Sequence, residues 1–331
     1  MKSFVPLISP ETAETLQPSP ISDEISDQTT SLQASSGLSY PVVGGIPRFV
    51  PPENYAAAFG LQWKTFRKTQ LDSYTGTSIS RDRLERCLGG FDAVRGKRVL
   101  EAGCGAGRFT EVLLAEGAQV FACDLSTAVE ANLENCSAHT GYFVCQADIR
   151  ALPVAPRSFD VVICLGVIQH TPNPEETIEA LARYVAPGGL LVIDHYRYGH
   201  EDMTKIRQRL RSLLIKQKTR FSMAFIRAMV AAIWPLHKLA WARRNSPFGS
   251  SLRRMLLRAS PVLDYHDQYG ELGPDLLYAW AVLDTHDALT DRYKHKRSTD
   301  QIAQDLQACG LVQIRAEYGG NGVEASARAP E

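Results

Sequence analysis

Between Lys97 and His195, short apolar runs typical of buried strands alternate with segments whose apolar residues recur at helical spacing. The strand-like runs cover 97–101, 119–123, 142–145, 159–165 and 189–195, and the helical patterns cover 107–116, 126–137 and 174–185. Strands separated by helices, with unbroken apolar runs such as VVICLGV, indicate a parallel sheet covered on both faces. A later helix, Thr299 to Cys309, and two strands, 311–318 and 322–328, predict a doubly wound α/β fold with a seven-stranded, mostly parallel sheet.

The flanking segments differ from this core in pattern. Residues 1–36 are rich in Ser, Thr, Pro, Gln and acids without periodicity, which predicts a flexible tail. In residues 37–53, two apolar runs around Gly44 and Gly45 predict a hairpin. Helical patterns in Tyr55–Leu71 and Ser80–Leu88 predict lid helices within 54–96. The remaining boundaries give a core of 97–200, a helical insertion of 201–262 and a C-terminal part of 263–331.

Charge is balanced over the whole chain but not along it. The 36 Lys and Arg equal the 36 Asp and Glu, so the net charge gives no sign of a nucleic-acid or membrane partner. Residues 201–260, however, hold fourteen Lys or Arg against only Glu201 and Asp202, a local charge of +12. This segment is the most basic part of the chain.

The seven cysteines occur singly, with no C-x-x-C pair, and several lie inside apolar runs. This argues for reduced, buried thiols and against a zinc site or a disulfide framework. The N-terminal stretch MKSFVPLISPETAET has one Lys and no apolar run long enough for a signal peptide. Together these features predict a cytoplasmic chain.

The first predicted strand ends in VLEAGCGAGRF, residues 99–109. Its glycines at 103, 105 and 107 let the following turn pass close to a ligand at the carboxyl ends of the strands. A dinucleotide fingerprint, G-x-G-x-x-G, requires glycine at 108, where this chain has Arg. The pattern is instead E-x-G-x-G-x-G.

That pattern, followed by Asp124 at the end of the next strand, resembles the class I S-adenosylmethionine-dependent methyltransferases, and residues 146–196 match the later motifs of that family in order and spacing. The resemblance implies a Rossmann-like fold and S-adenosyl-L-methionine as cofactor. It implies that Asp124 accepts hydrogen bonds from the ribose hydroxyls, Asp148 contacts the adenine amino group and Ile149 packs on the ring. The cofactor-binding residues expected on this basis are Glu101, Gly103, Gly105, Gly107, Asp124, Leu125, Asp148, Ile149 and Leu165.

The three carboxylates also have structural interpretations. Asp124 could cap the helix that begins near Ser126, and Asp148 could cap a turn in its own loop. Glu101 could be a buried acid satisfied by hydrogen bonds.

Methyl transfer from a sulfonium is an in-line displacement in which the enzyme mainly positions the acceptor and excludes water. Some acceptors also lose a proton, which His can accept at neutral pH. His170, after the fourth strand, and His195, near the end of the fifth, are therefore the catalytic candidates, although His170 could instead fix its loop by a hydrogen bond. Residues expected to bind the acceptor are Trp63, Gln70, Gln169, Tyr196, His286 and Tyr293.

The segment after the fourth strand lacks both the N-P-P-Y or D-P-P-Y motif of amino-methylating nucleic-acid enzymes and the Pro-Cys nucleophile of the cytosine C5 type. Both absences favour a small-molecule acceptor over nucleic acid. The main prediction is thus an S-adenosylmethionine-dependent methyltransferase of small molecules. The alternatives are a methyltransferase acting at the membrane surface on a lipid-linked or isoprenoid acceptor, and a cofactor-binding regulatory or assembly protein without turnover.

The additions to the core remain open to more than one interpretation. The hairpin YPVVGGIPRFV resembles a fragment of the small zinc-binding activators of tRNA methyltransferases, but no cysteine lies near it, so an edge hairpin that packs the lid is favoured. The insertion, 201–260, is either a helical cap over the acceptor site, a peripheral membrane contact or a nucleic-acid surface. Residues 276–298 either fold over the acceptor pocket or form a solvated connection.

Overall fold

The computed structural model describes residues 1–51, 53–199 and 205–331, with Lys205 described by its backbone alone. Pro52 of the expected hairpin segment, residue 200 of the expected core and residues 201–204 of the expected insertion lie outside the described residues. The strands are β1 (Gln17–Ser19), β2 (Ser31–Gln33), β3 (Ser39–Val43), β4 (Ile46–Pro47), β5 (Arg98–Ala102), β6 (Gln119–Asp124), β7 (Tyr142–Gln146), β8 (Phe159–Cys164), β9 (Val185–His195), β10 (Val312–Gly319) and β11 (Gly322–Arg328). The helices are α1 (Ala57–Thr65), α2 (Asp72–Thr75), α3 (Ile79–Leu88), α4 (Thr110–Ala115), α5 (Val129–Cys136), α6 (Pro174–Arg183), α7 (Lys205–Leu214), α8 (Thr219–Ala242), α9 (Pro247–Ala259), α10 (Pro274–Thr290) and α11 (Thr299–Ala308).

The main sheet has seven strands in the order β10-β11-β9-β8-β5-β6-β7. β5 to β9 run parallel, and β11 is antiparallel to both β9 and β10. Because the chain winds outward in one direction from β5 to β7 and in the other from β8 to β9, the strand order reverses between β5 and β8, where open α/β sheets bind ligands. The predicted fold class, a doubly wound and mostly parallel seven-stranded sheet, is confirmed.

Both faces of this sheet are buried, as its unbroken apolar runs predict. Consecutive residues of one strand enter different hydrophobic clusters: Val99 belongs to the cluster on one face and Leu100 to the cluster on the other. The same alternation separates Val120 from Phe121. A strand buried on both faces leaves only its ends for polar chemistry.

The prediction of a flexible tail over residues 1–36 is wrong. β1 and β2 form part of a four-stranded antiparallel sheet with the hairpin strands β3 and β4, and the Gly44–Gly45 turn has the paired positive φ values, +59° and +72°, of a tight hairpin. The apolar side chains of the segment are widely spaced in sequence but join the main core, namely Val5, Leu7, Leu16, Ile25 and Leu32. They belong to the same cluster as Leu100 and Phe121 of the main sheet, and local periodicity does not reveal such burial.

The N-terminal sheet attaches to the edge strand β7. Arg48 donates to the side-chain oxygen of Gln146 at 3.1 Å, and the backbone N–H of Phe49 donates to the Gln146 carbonyl at 2.8 Å. A salt bridge of 3.1 Å joins Arg48 to Glu130 of α5. The expected edge position of the hairpin therefore agrees with the structure.

The insertion is helical, as predicted, and consists of α7, α8 and α9. Residues 276–298, expected to form a connection, are instead mostly helix α10, which begins with Pro274 in its first turn. Residues of α8 and α10 share a hydrophobic cluster that includes Ile226, Trp234 and Trp280. Because apolar and polar residues alternate irregularly around this buried helix, its sequence lacks the one-sided pattern of a surface helix.

Candidate functional site

A cavity of about 270 Å³ opens at the carboxyl ends of β5, β6, β7 and β8, at the point where the strand order reverses. Helix α1, in the segment expected to form a lid, and helix α10 supply further parts of its wall. The residues expected to bind a cofactor or an acceptor that line this cavity are Trp63, Gln70, Gly103, Gly105, Asp124, Leu125, Asp148, Ile149, Leu165, His170 and Tyr196. One space therefore unites most of the predicted site.

The glycine turn after β5 requires its missing side chains. Gly103 has φ +81°, and a Cβ there would lie 2.3 Å from Cγ2 of Val167, so the turn and the loop after β8 can approach only because the side chain is absent. A Cβ on Gly105 would lie 3.3 Å from the indole nitrogen of Trp63 on α1. Gly107 does not line the cavity, because its α-carbon faces the Cys136 sulfur inside the core. Gly107 thus has a packing role in the structure.

Asp124 closes β6 and is held in place by three donors. Its Oδ1 accepts hydrogen bonds from the backbone and hydroxyl of Ser126 at 2.8 and 2.7 Å, and its Oδ2 accepts the Gly105 N–H at 3.0 Å. Burial raises the pKa of this carboxyl, and the three hydrogen bonds oppose that rise. The result is a preoriented carboxylate at the cavity wall, joined to the glycine turn.

Asp148 lies at the end of the loop after β7, next to Ile149. It caps a short turn by accepting the Arg150 N–H at 2.9 Å and is paired with the Arg150 guanidinium at 2.7 Å. Burial raises the pKa of Asp148, but the hydrogen bonds and charge of Arg150 outweigh this and hold it below its usual range. Asp148 therefore both caps this turn and lines the cavity.

Glu101 does not line the cavity, contrary to its expected contact with the cofactor. Its carboxyl is buried behind the glycine turn, where it accepts a hydrogen bond of 2.6 Å from the Thr110 hydroxyl. Burial raises the pKa of Glu101 to about 8. The structure thus favours the alternative of a satisfied structural acid.

His170 sits on a short turn after β8 and lines the cavity. Its Nδ1 lies 3.2 Å from the carbonyl oxygen of Tyr293 and 3.4 Å from Oδ2 of Asp291, while Phe59 and Tyr196 pack edge-on against the ring. An Nδ1–H tautomer donates to the Tyr293 carbonyl, keeps the Asp291 carboxylate as a neighbouring charge and leaves Nε2 with a lone pair. Burial lowers the pKa of His170, but the neighbouring carboxylates of Asp291 and Asp287 outweigh burial and raise it above its ordinary value.

The sequence gives no signal for Asp291, yet its carboxylate is the charged partner of His170. Arg211 of α7 fixes it by donating to its Oδ1 at 2.8 Å and to its backbone carbonyl at 2.6 Å. The Lys294 ammonium lies 3.8 Å from Oδ2. The inserted helix α7 therefore reaches the candidate base through one carboxylate.

His195 is not placed to act on a ligand in this cavity. It is fully buried in β9, does not line the cavity, and has its Nδ1 3.0 Å from the carbonyl oxygen of Tyr196. Burial lowers the pKa of His195 to about 4. Because alternate residues of a strand face opposite sides, a histidine near the strand end can still point into the core.

Three of the expected acceptor contacts also lie off the cavity wall. Gln169 and His286 are fully buried, and Nδ1 of His286 lies 2.6 Å from Oε1 of Gln62. Burial lowers the pKa of His286 to about 4. Tyr293 is not on the wall either, although its ring packs edge-on against Tyr55. In place of His286, helix α10 presents Asp284 and Asp287 to the cavity.

Besides Arg150, two arginines that were not among the expected site residues line the cavity, namely Arg83 and Arg108. Arg83 of α3 is paired with Asp194 of β9. Arg108 donates to the Ser80 hydroxyl at 2.9 Å and to Oε1 of Gln70 at 3.1 Å, and burial lowers its pKa to about 10. The one available signal was Arg108 itself, since it stands where a dinucleotide site has its last glycine.

Comparison with known proteins agrees with this geometry. Residues 100–193 match the family model described as "Methyltransferase domain". The ubiquinone biosynthesis O-methyltransferase of Azoarcus sp. (strain BH72) is 35% identical over 106 residues, which are 31% of this chain and 45% of that protein. The enzyme of the same name from Burkholderia cenocepacia is 38% identical over 108 residues, 31% of this chain and 47% of that one. The match therefore spans less than half the length of these curated relatives.

Among solved structures, a SAM-dependent methyltransferase from Aquifex aeolicus has a TM-score of 0.42 at 14% identity, covering 84% of this chain and 98% of that one. A likeness at this level supports no inference about substrate. The family match, by contrast, includes both the glycine turn and the turn that carries His170. The match over residues 100–193, together with the seven-stranded, mostly parallel sheet, supports a class I S-adenosylmethionine-dependent methyltransferase.

Proposed function

We propose that this chain transfers the methyl group of S-adenosylmethionine to a hydroxyl of a small-molecule acceptor. The observation that carries the proposal is the single cavity on which Asp124, Asp148, the glycine turn and His170 converge. The names of the curated relatives support an oxygen acceptor, because both compared proteins are O-methyltransferases by name.

The residues present fit the cofactor. The Asp124 carboxylate is held rigidly at the wall and suits the adjacent hydroxyls of a ribose, while Asp148 suits the amino group of an adenine. Leu125, Ile149 and Leu165 provide apolar surface on the same wall for a flat ring. When bound there, S-adenosylmethionine supplies a methyl group already activated by the positive sulfur.

The chain itself must orient the acceptor, exclude water and accept a proton. Phe59 and Trp63 of the lid helix lie over the cavity and restrict its contact with water. His170 can accept the proton of an attacking hydroxyl at Nε2, because Asp291 and the Tyr293 carbonyl retain the proton on Nδ1. The imidazolium formed in that step is stabilised by the Asp291 carboxylate.

The test is a radiolabelled methyl screen. The purified chain is incubated with methyl-labelled S-adenosylmethionine and small-molecule fractions of a cell extract, and label in organic-extractable compounds is counted. The proposal expects labelled product whose yield requires His170. If the chain binds the cofactor but labels no fraction, it is a binding protein without turnover, and the proposed activity is wrong.

A further inference from the structure

Helix α8 has an outer face that is both solvent-exposed and apolar. Four large side chains of this face are exposed by 38% to 56%, namely Phe221, Phe225, Leu236 and Leu239. Exposed alanines and Pro235 occupy the positions between them, so the apolar strip runs the length of the helix. An exposed apolar strip of this length is typical of a surface that contacts a membrane or another protein.

The inner face of α8 packs against the rest of the protein. Ile226, Val230 and Trp234 pack in the hydrophobic cluster shared with α10. On the same face, His237 lies 2.7 Å from Asp264 and 2.9 Å from the Ser260 hydroxyl. α8 therefore has an apolar inner face that is buried and an apolar outer strip that is exposed, and Arg227 and Lys238 are exposed cations on the same helix.

By length and composition, α8 is apolar enough to cross a membrane, and one-third of its most apolar stretch is buried in the protein. Crossing would separate His237 from Asp264 and Ser260 and place the His237 ring in lipid without its partners, which is costly. An orientation along the surface keeps the inner contacts intact. The structure therefore favours a helix that lies on the bilayer rather than across it.

The charge around the strip has one sign. Residues 205–260 contain fourteen Lys or Arg and no Asp or Glu. Among the parts of the chain that the structure describes, the exposed members pair with no carboxylate; they are Arg209, Lys216, Lys218, Arg220, Arg227, Lys238, Arg243, Arg244, Arg254 and Arg258. Cations stand just before the strip, at 216–220, and just after it, at 243–244.

This combination selects among the partners that could cover α8. A two-fold pairing of two copies through this face would oppose like charges, because such an interface joins identical surfaces. A nucleic acid needs the cations but not a continuous apolar strip between them. We propose that the outer face of α8 docks this protein on an anionic lipid surface, with Phe221, Phe225, Leu236 and Leu239 entering the acyl boundary and the flanking cations meeting lipid phosphates.

The start of α8 lies next to the start of helix α1, which lines the methyltransferase cavity. A second cavity, of about 130 Å³, is lined on one side by residues 54, 55, 57 and 58 at the start of the lid and on the other by Leu214, Ile215 and Thr219 at the junction of α7 and α8. Tyr55 lines both this cavity and the larger one. Tyr55 therefore connects the start of α8 with the cavity that holds His170.

The experiment is flotation of the full chain with vesicles of phosphatidylcholine alone or with about 30% phosphatidylglycerol. The proposal expects binding only to the anionic vesicles, weakened at about 0.5 M salt. Leu236→Glu should lower vesicle binding about tenfold, because it places a carboxylate in the acyl boundary. Val312→Glu is the matched control, since Val312 is exposed by 45% and Leu236 by 48%, and it should bind like the parent.

Thermal unfolding of both variants must match that of the parent, which separates lost docking from lost folding. Binding that is equal for both vesicle types, or unchanged by Leu236→Glu, overturns the proposal. Absence of vesicle binding together with a dimer that Leu236→Glu dissociates in sedimentation also overturns it and assigns the face to a second copy.

Discussion

Nδ1 of His170 lies 3.4 Å from Oδ2 of Asp291, a carboxylate that Arg211 of the inserted helix α7 fixes at 2.8 Å. The candidate base of the methyltransferase core is thus oriented by residues outside that core. A carboxylate beside a histidine sets its tautomer and stabilises its charged form. Under the two proposals, the insertion both orients the base through Arg211 and docks the protein on lipid.

Replacing His170 by Gln should lower kcat by about 100-fold or more, because Gln cannot accept the acceptor's proton. The dissociation constant for S-adenosylmethionine should be unchanged, since the expected cofactor contacts lie elsewhere on the cavity. His139→Gln, at an exposed histidine, serves as the control. An unchanged kcat in His170→Gln would show that this histidine only fixes its loop.

Asp291→Asn should move the acidic limb of the pH–rate profile to lower pH. The base must be neutral to act, and the carboxylates of Asp291 and Asp287 hold the pKa of His170 above its ordinary value against the opposing effect of burial. Removing the charge of Asp291 lets burial lower that pKa, so His170 stays neutral at lower pH, although its basicity and the plateau rate both fall. A limb that does not move with the variant excludes His170 as the titrating group.

Gly103→Ala should destabilise the fold more than Gly96→Ala. Both glycines have left-handed φ values, +81° and +70°, but a Cβ at 103 meets Val167 at 2.3 Å whereas one at 96 meets nothing within 4 Å. The backbone strain is therefore similar, and the difference, about 1–3 kcal/mol, reports the clash alone. Urea unfolding of the two variants measures it, and equal stabilities would contradict the close approach of the two loops.

Leu32→Ala should lower the free energy of unfolding by about 2–5 kcal/mol, because Leu32 is fully buried in the main core despite its place in the N-terminal segment. Ile21→Ala is the control from the same segment, as Ile21 is 91% exposed, and should change stability by less than about 0.5 kcal/mol. Calorimetry or urea unfolding distinguishes them. If both variants change the free energy of unfolding equally and by a small amount, residues 1–36 are a flexible tail after all.

The sequence was most informative where a local pattern has one structural solution. The glycine turn and Asp124 could be predicted, because a strand end, a bare turn and an acid on the next strand must meet at one edge of a parallel sheet. The role of Asp291 could not be predicted, because its distance from His170 depends on how helix α10, which ends at Thr290, is placed relative to the sheet. Residues 1–36 were misjudged for a similar reason: their few apolar side chains are buried by a surface distant in sequence. His195 and His286 were expected on the cavity but are buried away from it. Neighbouring residues in the sequence do not show which face of strand β9 or helix α10 each histidine occupies.

Isothermal titration calorimetry can establish whether the cavity at Asp124 holds S-adenosylmethionine. We expect the parent chain to bind S-adenosylmethionine and its demethylated product at one site, and Asp124→Ala to weaken both about tenfold or more while the chain remains folded. Failure of the folded parent to bind either compound, or equal affinity in Asp124→Ala, would contradict this expectation.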